Sequence, residues 1–183
     1  MTDLINKIRF LTGDMVTTGT DVYTYANTSV FTLSEPNVVS VTDVYVNGVT
    51  SGITHSYSST TKKVTVYSTM TIGDTVEIEY TYYANYSDAE LTSYMQAALV
   101  YLSVAGFLFE YDADDDDIYP QLTSKEENLI ALVTSISLTP DNCNIRLPDV
   151  SIISTSNLSP RDRINQVIAL YKKDTHGVFD VMD

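Results

Sequence analysis

The sequence predicts an α+β fold: a helical bundle of about four helices, with a small antiparallel β-sandwich or barrel inserted between helices 1 and 2. Three observations lead to this prediction. Apolar residues recur at helical spacing at the start of the chain. From residue 21 to 84 they give way to two-residue alternation in a region rich in Thr, Val, Tyr and Ser. Helical spacing returns after Ser87.

The domain organisation follows from the first helix. Its apolar stripe needs a covering surface, and the only other helices come after the β region. We therefore expect a discontinuous helical domain, 1–20 plus 85–183, and an inserted β domain, 21–84. At 183 residues the chain is long enough for one good core or two small ones.

The first helix is expected over 3–12, because Gly13 is a typical residue just after a helix C-terminus. Two-residue alternation then predicts six strands, at 22–25, 28–33, 38–46, 53–58, 62–67 and 74–83. Asn47-Gly48 predicts a type I′ hairpin turn. In the last strand one face is expected to be core, and it comprises Val76, Ile78, Tyr80 and Tyr82.

Three later helices begin at recognisable caps. Ser87 and Glu90 form the capping-box pattern before a helix over 88–110, and Thr123 and Glu126 repeat the pattern before a helix over 123–137. Ser159-Pro160 predicts a helix over 160–173, with Pro at the first helical position.

The helix over 88–110 is apolar on almost every face. Such a helix is either wrapped centrally by its companions or buried partly by a second subunit, and both alternatives stay open. The residues that we select for subunit packing are Leu91, Met95, Leu99, Leu102 and Phe109.

Composition excludes several classes of function. A net charge of −14 opposes binding to nucleic acid through phosphates, and 8 acids without one base lie in 85–120. The single Cys143 permits no internal disulfide, and neither His55 nor His176 lies in a catalytic signature. We expect no enzyme and no cofactor. The longest apolar stretch, 97–109, is too short for a bilayer and no signal peptide is evident, so we expect a soluble protein made in a cytosol.

An acidic run is the motif most suggestive of a metal: Asp112, Asp114, Asp115, Asp116 and Asp117. Its spacing matches the first ligands of an EF-hand loop, but Asp117 stands at the sixth position in place of Gly and Thr123 at the twelfth in place of Glu. We therefore expect a solvated acidic loop and no metal site.

Tyrosine is abundant in the β region, where two interpretations compete. Exposed tyrosines can stack on sugars or bind partners, whereas tyrosine also suits a pleated and half-buried surface. The residues concerned are Tyr23, Tyr25, Tyr45, Tyr57, Tyr67, Tyr80, Tyr82 and Tyr83.

Four segments give the chain its likeness to a known family: the opening run over 3–14, the block over 85–91, the Ala97-Ala98-Leu99 stretch and the segment over 158–164. In their order they resemble the head–tail connector (adaptor) proteins of tailed bacteriophages. The chain departs from that pattern through its β region of about 60 residues, where small connectors have a short loop.

The resemblance implies a structural protein of the virion neck, made in the bacterial host cytoplasm. Such proteins form a ring, usually of twelve subunits, that joins the portal protein to a stopper or tail-completion protein and lets DNA pass. Under this reading the acidic loop faces the channel, where a negative wall repels phosphate. Candidates for docking on the portal or a neighbouring subunit are Arg161, Arg163, Lys172 and Lys173, unless they lie on a solvated helix face.

A competing interpretation makes the β region a binding module for a carbohydrate or a host surface, with helices that only oligomerise it. The absence of Trp counts against this alternative, because sugar-binding sites favour that side chain.

Overall fold

The computed structural model describes residues 2–108, 110–113, 118–140, 144–147, 150–153 and 158–175, and the chain forms two compact units. The helical unit comprises Met1–Gly13 and Asp88–Asp183. The β unit comprises Asp14–Ser87.

The described elements follow one another in a simple order. The helices are α1 (Thr2–Thr12), α2 (Asp88–Val104), α3 (Ser124–Leu138) and α4 (Pro160–Thr175). The first six strands are β1 (Val16–Thr24), β2 (Val30–Thr32), β3 (Asn37–Val46), β4 (His55–Ser58), β5 (Lys63–Val66) and β6 (Thr75–Tyr83). Four short strands follow: β7 (Asp112–Ala113), β8 (Ile118–Tyr119), β9 (Asn144–Leu147) and β10 (Val150–Ile153).

This order corrects the expected fold class. The chain is α+β with four helices and small antiparallel sheets, but apart from the short α1 the strands come first and the helices follow. A helical bundle with an inserted β-sandwich or barrel is therefore wrong. The later helices are themselves separated by the strand pairs β7–β8 and β9–β10. β7 and β8 have two residues each, which is too short to show two-residue alternation in the sequence.

The β unit consists of two three-stranded antiparallel sheets, ordered β1-β6-β3 and β2-β5-β4. Both sheets contribute to one hydrophobic core, whose buried members are Phe31, Leu33, Val44, Val64, Val66, Val76, Ile78 and Tyr80. The predicted alternation of β6 is confirmed, because Val76, Ile78 and Tyr80 are buried while Glu77 and Glu79 are only partly covered.

The Asn47-Gly48 turn is confirmed as well. Both residues have positive φ, 50° and 77°, and Val46 and Val49 exchange backbone hydrogen bonds of 3.0 and 3.1 Å. The Asn47 side chain donates to an Asp74 carboxylate oxygen at 2.8 Å. The turn is thereby held against the loop that precedes β6.

β1 begins six residues earlier than the strand predicted at 22–25. It has no fully buried residue, because it lies at the edge of its sheet and its side chains are exposed or half-buried. A strand that buries no complete side chain gives little apolar alternation, so its start was not visible in the sequence.

The Asp21 carboxylate on β1 is the centre of a polar network. The Ser34 backbone N–H and hydroxyl each donate to it at 2.7 Å, and the hydroxyls of Tyr23 and Tyr80 donate at 3.0 and 3.2 Å. Burial alone would raise the pKa of Asp21, but these hydrogen bonds, those from Ser34 foremost, outweigh it and lower that pKa.

Gly19 on β1 makes room for the Tyr80 ring. A Cβ at position 19 would lie 2.8 Å from Cε2 of Tyr80, a side chain that is itself buried in the core. An aromatic ring that covers a glycine on a neighbouring strand recovers part of the packing that glycine lacks. This close approach also keeps the Tyr80 hydroxyl within reach of Asp21.

In the helical unit α3 is central. It contacts α1, α2 and α4. Eight consecutive residues of α3 are buried, and together they span every side of the helix: Leu129, Ile130, Ala131, Leu132, Val133, Thr134, Ser135 and Ile136. The capping box at its start is confirmed, since the Thr123 side chain accepts from the Glu126 N–H while the Glu126 side chain accepts from the Thr123 N–H. The predicted cap of α4 is also present, because Ser159 Oγ accepts from the Asp162 N–H at 3.2 Å.

Two ion pairs fix α1 in this unit. The buried Arg9 guanidinium contacts an Asp88 carboxylate oxygen at the start of α2 at 2.6 Å. Lys7 contacts Glu127 in the first turn of α3 at the same distance. Because the Arg9 side chain is only 3% exposed, loss of Asp88 would leave a buried charge without this partner.

We predict that Gly19→Ala destabilises the β unit by about 1–3 kcal/mol, because the added methyl group must displace a buried ring. Urea denaturation measures the change. Thr17→Ala on the same strand is the control and should change the stability by about 0.5 kcal/mol or less. Equal stability of the two variants would contradict this prediction, because it would show that the Tyr80 ring moves without a loss of stability.

We predict that Asp21→Asn reduces the loss of folding stability as the pH falls. A carboxyl whose folded pKa is lowered contributes stability above its unfolded pKa of about 3.9, and that contribution is lost as pH falls through the folded pKa. Urea midpoints from about pH 5 to about pH 2 should therefore fall less in Asp21→Asn than in the wild type. The exposed Asp43 gives the matched control, Asp43→Asn. A wild-type pH profile in Asp21→Asn would contradict this assignment.

Candidate functional site

The outer face of α2 is the candidate functional site. The inner face of this helix is buried within the helical unit and comprises Leu91, Met95, Ala98, Leu99 and Leu102. The opposite face is also apolar but stays exposed, and it comprises Tyr94, Ala97, Val100, Tyr101 and Val104. We call these five residues the α2 outer face.

The spacing of this face is regular. Tyr94, Ala97, Tyr101 and Val104 follow one another at intervals of three, four and three residues, which places them in one row along the helix. Val100 lies beside the row and is 63% exposed, while Val104 at the end of the helix is 85% exposed. Large apolar side chains in a continuous exposed row are typical of a surface that contacts another molecule.

The local sequence explains where the α2 outer face ends. The Phe107 N–H donates to the Leu102 carbonyl at 2.8 Å, and Gly106 has a φ of 84°. These are the features of a Schellman helix C-terminus, which stops α2 at Val104. The prediction that this helix continues to residue 110 is therefore wrong, and Gly106 was the signal in the sequence that could have corrected it.

A groove of about 370 Å³ runs beside the C-terminal half of α2. It is lined by Gln96, Leu99, Val100, Ser103, Val104, Tyr111 and Asp112. Burial, and then the hydrogen bond to Glu126, raises the pKa of Tyr111 to about 12. Tyr111 thus links the groove to the capping box of α3.

The first residue of the acidic run, Asp112, lines this groove and belongs to β7, which pairs with β8. The rest of the run (Asp114, Asp115, Asp116 and Asp117) lies outside the described residues, so the expected channel-facing loop stays a prediction. Within the residues that the structure describes, no group of three or more His, Cys, Asp or Glu side chains is placed to hold a metal ion.

The side chains selected for subunit packing need correction. Leu91, Met95, Leu99 and Leu102 are buried inside the helical unit, where a second subunit has no access to them, and Phe109 lies outside the described residues. The helix is apolar on both faces, so its sequence did not reveal which face the rest of the chain would cover. The exposed residues are those of the α2 outer face.

The basic residues of α4 that we selected for docking differ in exposure and in contacts. Arg161 is exposed, whereas Arg163 is only 2% exposed and lies on the buried face of the helix. The prediction that Arg163 docks on the portal or a neighbouring subunit is therefore wrong. The Lys172 ammonium lies 4.8 Å from the centre of the Phe107 ring in the same chain, and the Lys173 side chain is outside the described part.

The tyrosines of the β region do not form one exposed platform. Tyr23, Tyr25, Tyr57, Tyr80 and Tyr82 belong to the core or pack against it, which favours the structural interpretation for these five. Tyr67 is exposed, and its hydroxyl lies 2.9 Å from the Ser56 hydroxyl.

Of the two histidines and the cysteine considered in the sequence, only His55 lies within the described residues. His55 is exposed in β4 and pairs with Val66 across the sheet. His176 and Cys143 lie outside the described residues. No helix in the part of the chain that the structure describes is long and apolar enough to cross a membrane.

Comparison with known proteins gives no assignment, since no family model and no curated protein matches the chain.

We predict that the two faces of α2 differ in their importance for the stability of the single chain. Leu99→Ala should lower the free energy of unfolding by about 2–5 kcal/mol, because it leaves a cavity in the core. Val100→Ala should change it by about 0.5 kcal/mol or less, because the side chain is exposed. Both values come from urea denaturation at a protein concentration where the chain is monomeric. A comparable loss in Val100→Ala would mean that the outer face is covered within the chain.

Proposed function

We propose that the protein is a structural subunit of a virion ring that joins the portal vertex of a phage head to the tail or stopper and lets DNA pass. The observation that supports this function is the α2 outer face. It adds a geometric reason for assembly to the family resemblance of the segments at 3–14, 85–91 and 158–164.

An exposed apolar helix face favours association because its burial removes apolar surface from water. Burial of such surface contributes about 25 cal/mol per Å², and an apolar patch of several hundred Å² is unusual on a monomer without a partner. A helical row that meets a different surface of the next subunit makes a heterologous contact, which closes into a ring when the rotation per subunit divides the full circle.

The distribution of charge suits a passage for DNA. The segment 85–120 contains 8 acids and no base. Its described acids Asp88, Glu90, Glu110 and Asp112 are exposed, and Asp88 is paired with Arg9. A wall with such a charge repels phosphate groups and therefore does not retain the moving duplex. The proposal assigns this repulsion to the acidic run, of which Asp112 lies beside the groove.

The genes that flank the coding sequence give the first test. Portal, capsid and tail genes on either side would support the proposal. A metabolic operon would contradict it, because a neck protein is made together with the particle that it completes.

Reconstitution gives the direct test, in which the chain is mixed with the purified portal protein from the same gene cluster and the particles are imaged by electron microscopy. We predict that the wild type adds a ring of density to the portal and that Val104→Glu does not, because a carboxylate would be buried in the subunit contact. Ile72→Glu in the β unit is the matched control, since Ile72 is also highly exposed, at 73%. Failure of the wild type to bind the portal, or normal assembly of Val104→Glu, would contradict the proposal.

A further inference from the structure

The free edge of β1 is a second surface suited to binding a partner. All nine residues of β1 pair with β6 without a register shift. On the other side, no backbone hydrogen bond joins β1 to another segment of the described chain. A strand of this length offers about 30 Å of unpaired N–H and C=O groups.

The other edge strands of the β unit are protected in ways that β1 is not. β3 has two register shifts against β6, and β2 and β4 have only three and four residues. Irregular or short edges resist the addition of another strand. β1 contains no Lys, no Pro and no irregularity in its pairing. It is therefore the long, regular and open edge among the four.

The sequence of β1 is nearly symmetric about Gly19. Reading outward from Gly19, Thr18 matches Thr20, Thr17 matches Asp21, and Val16 matches Val22. If two copies pair antiparallel about this centre, Val16 of each copy faces Val22 of the other, and each Thr18 faces Thr20. Pairs of β-branched residues are among those that stabilise cross-strand neighbours.

Exposure agrees with this pairing. Val16 and Val22 are 52% and 63% exposed in the single chain, and the antiparallel arrangement brings them together on the outer side of the sheet. The pair occurs twice, once on each side of the centre.

Charge also permits a second copy at this edge. Asp21 is the one charged residue of β1, and in the Gly19-centred register it faces Thr17 and not a second carboxylate. The acids of the neighbouring strand, Glu77 and Glu79, lie on β6 opposite Val22 and Thr20. Three strand spacings, about 14 Å, would separate them from the same residues of the other copy, which exceeds the screening length of about 8 Å at physiological salt.

We propose that two copies of this chain associate through their β1 strands, antiparallel and centred on Gly19, so that the two sheets continue as one six-stranded sheet. The contact involves residues of the β unit, whereas the α2 outer face belongs to the helical unit. It therefore does not depend on the proposed function.

Disulfide trapping tests the register. Two chains are prepared, both with Cys143→Ser, one with Val16→Cys and the other with Val22→Cys, and they are mixed and mildly oxidised. In the Gly19-centred pair these positions face each other at a Cα distance of about 5 Å, which a disulfide can span. Two copies of the same position lie six residues apart along the strands, about 20 Å.

We expect mass spectrometry to find mixed disulfide dimers well above dimers of either single variant. Val49→Cys, an exposed valine in the hairpin at the far end of β3, is the matched control and should stay uncoupled. Absence of cross-linking, equal yields of mixed and single-variant dimers, or a yield no greater than the control would overturn the proposal.

Sedimentation equilibrium tests the association without a new thiol. We expect the wild type to reach twice its chain mass of 20.3 kDa as concentration rises. Val22→Lys should weaken the dimer by about tenfold or more, because the lysine meets Val16 in both copies, and it should leave the monomer folded beside Glu77. Val49→Lys should dimerise like the wild type. A wild type that stays monomeric, or equal dimerisation of the two lysine variants, would overturn the proposal even if the portal experiment succeeds.

Discussion

The complete burial of α3 is the constraint on which the helical unit depends. Residues 129–136 of this helix are buried on every side, so α1, α2 and α4 must each give it one face. A single helix can be enclosed in this way, but the helices that enclose it then have outer faces of their own. The outer face of α4 is mostly polar, with Leu170 as an exposed apolar residue, whereas α2 exposes valine and tyrosine. The burial of α3 therefore explains why α2 has an outer face, and the sequence of α2 makes that face apolar.

The β unit depends on a different device, which is the packing of an aromatic ring over a glycine. Tyr80 on the central strand β6 fills the space above Gly19, and its hydroxyl joins Ser34 in holding the Asp21 carboxylate. These contacts fix an edge strand that buries no complete side chain of its own. The strand pairs with β6 without a register shift, and this regularity makes its outer edge suitable for a second strand.

Local signals were sufficient for part of this structure. Asn47-Gly48 specifies its turn, Thr123 and Glu126 specify the start of α3, and the alternation of Val76, Ile78 and Tyr80 specifies the inner face of β6. Each of these signals lies within a few residues of the feature that it determines. The tertiary arrangement is different, because α2 and α3 are both rich in apolar residues and no local pattern shows which of them the rest of the chain will enclose. The sequence therefore shows that α2 is apolar on almost every face but not which face is exposed, and it does not show that Arg163 is buried.

The proposed assembly requires that another molecule covers the α2 outer face. Thiol labelling of Cys143→Ser, Val104→Cys measures this most directly, because position 104 is the most exposed of the outer face. Its rate of reaction with a maleimide is compared in the free chain and in the purified assembly with its portal. We expect rapid labelling of Val104→Cys in the free chain and strong protection in the assembly. Equal labelling rates in both states would contradict it.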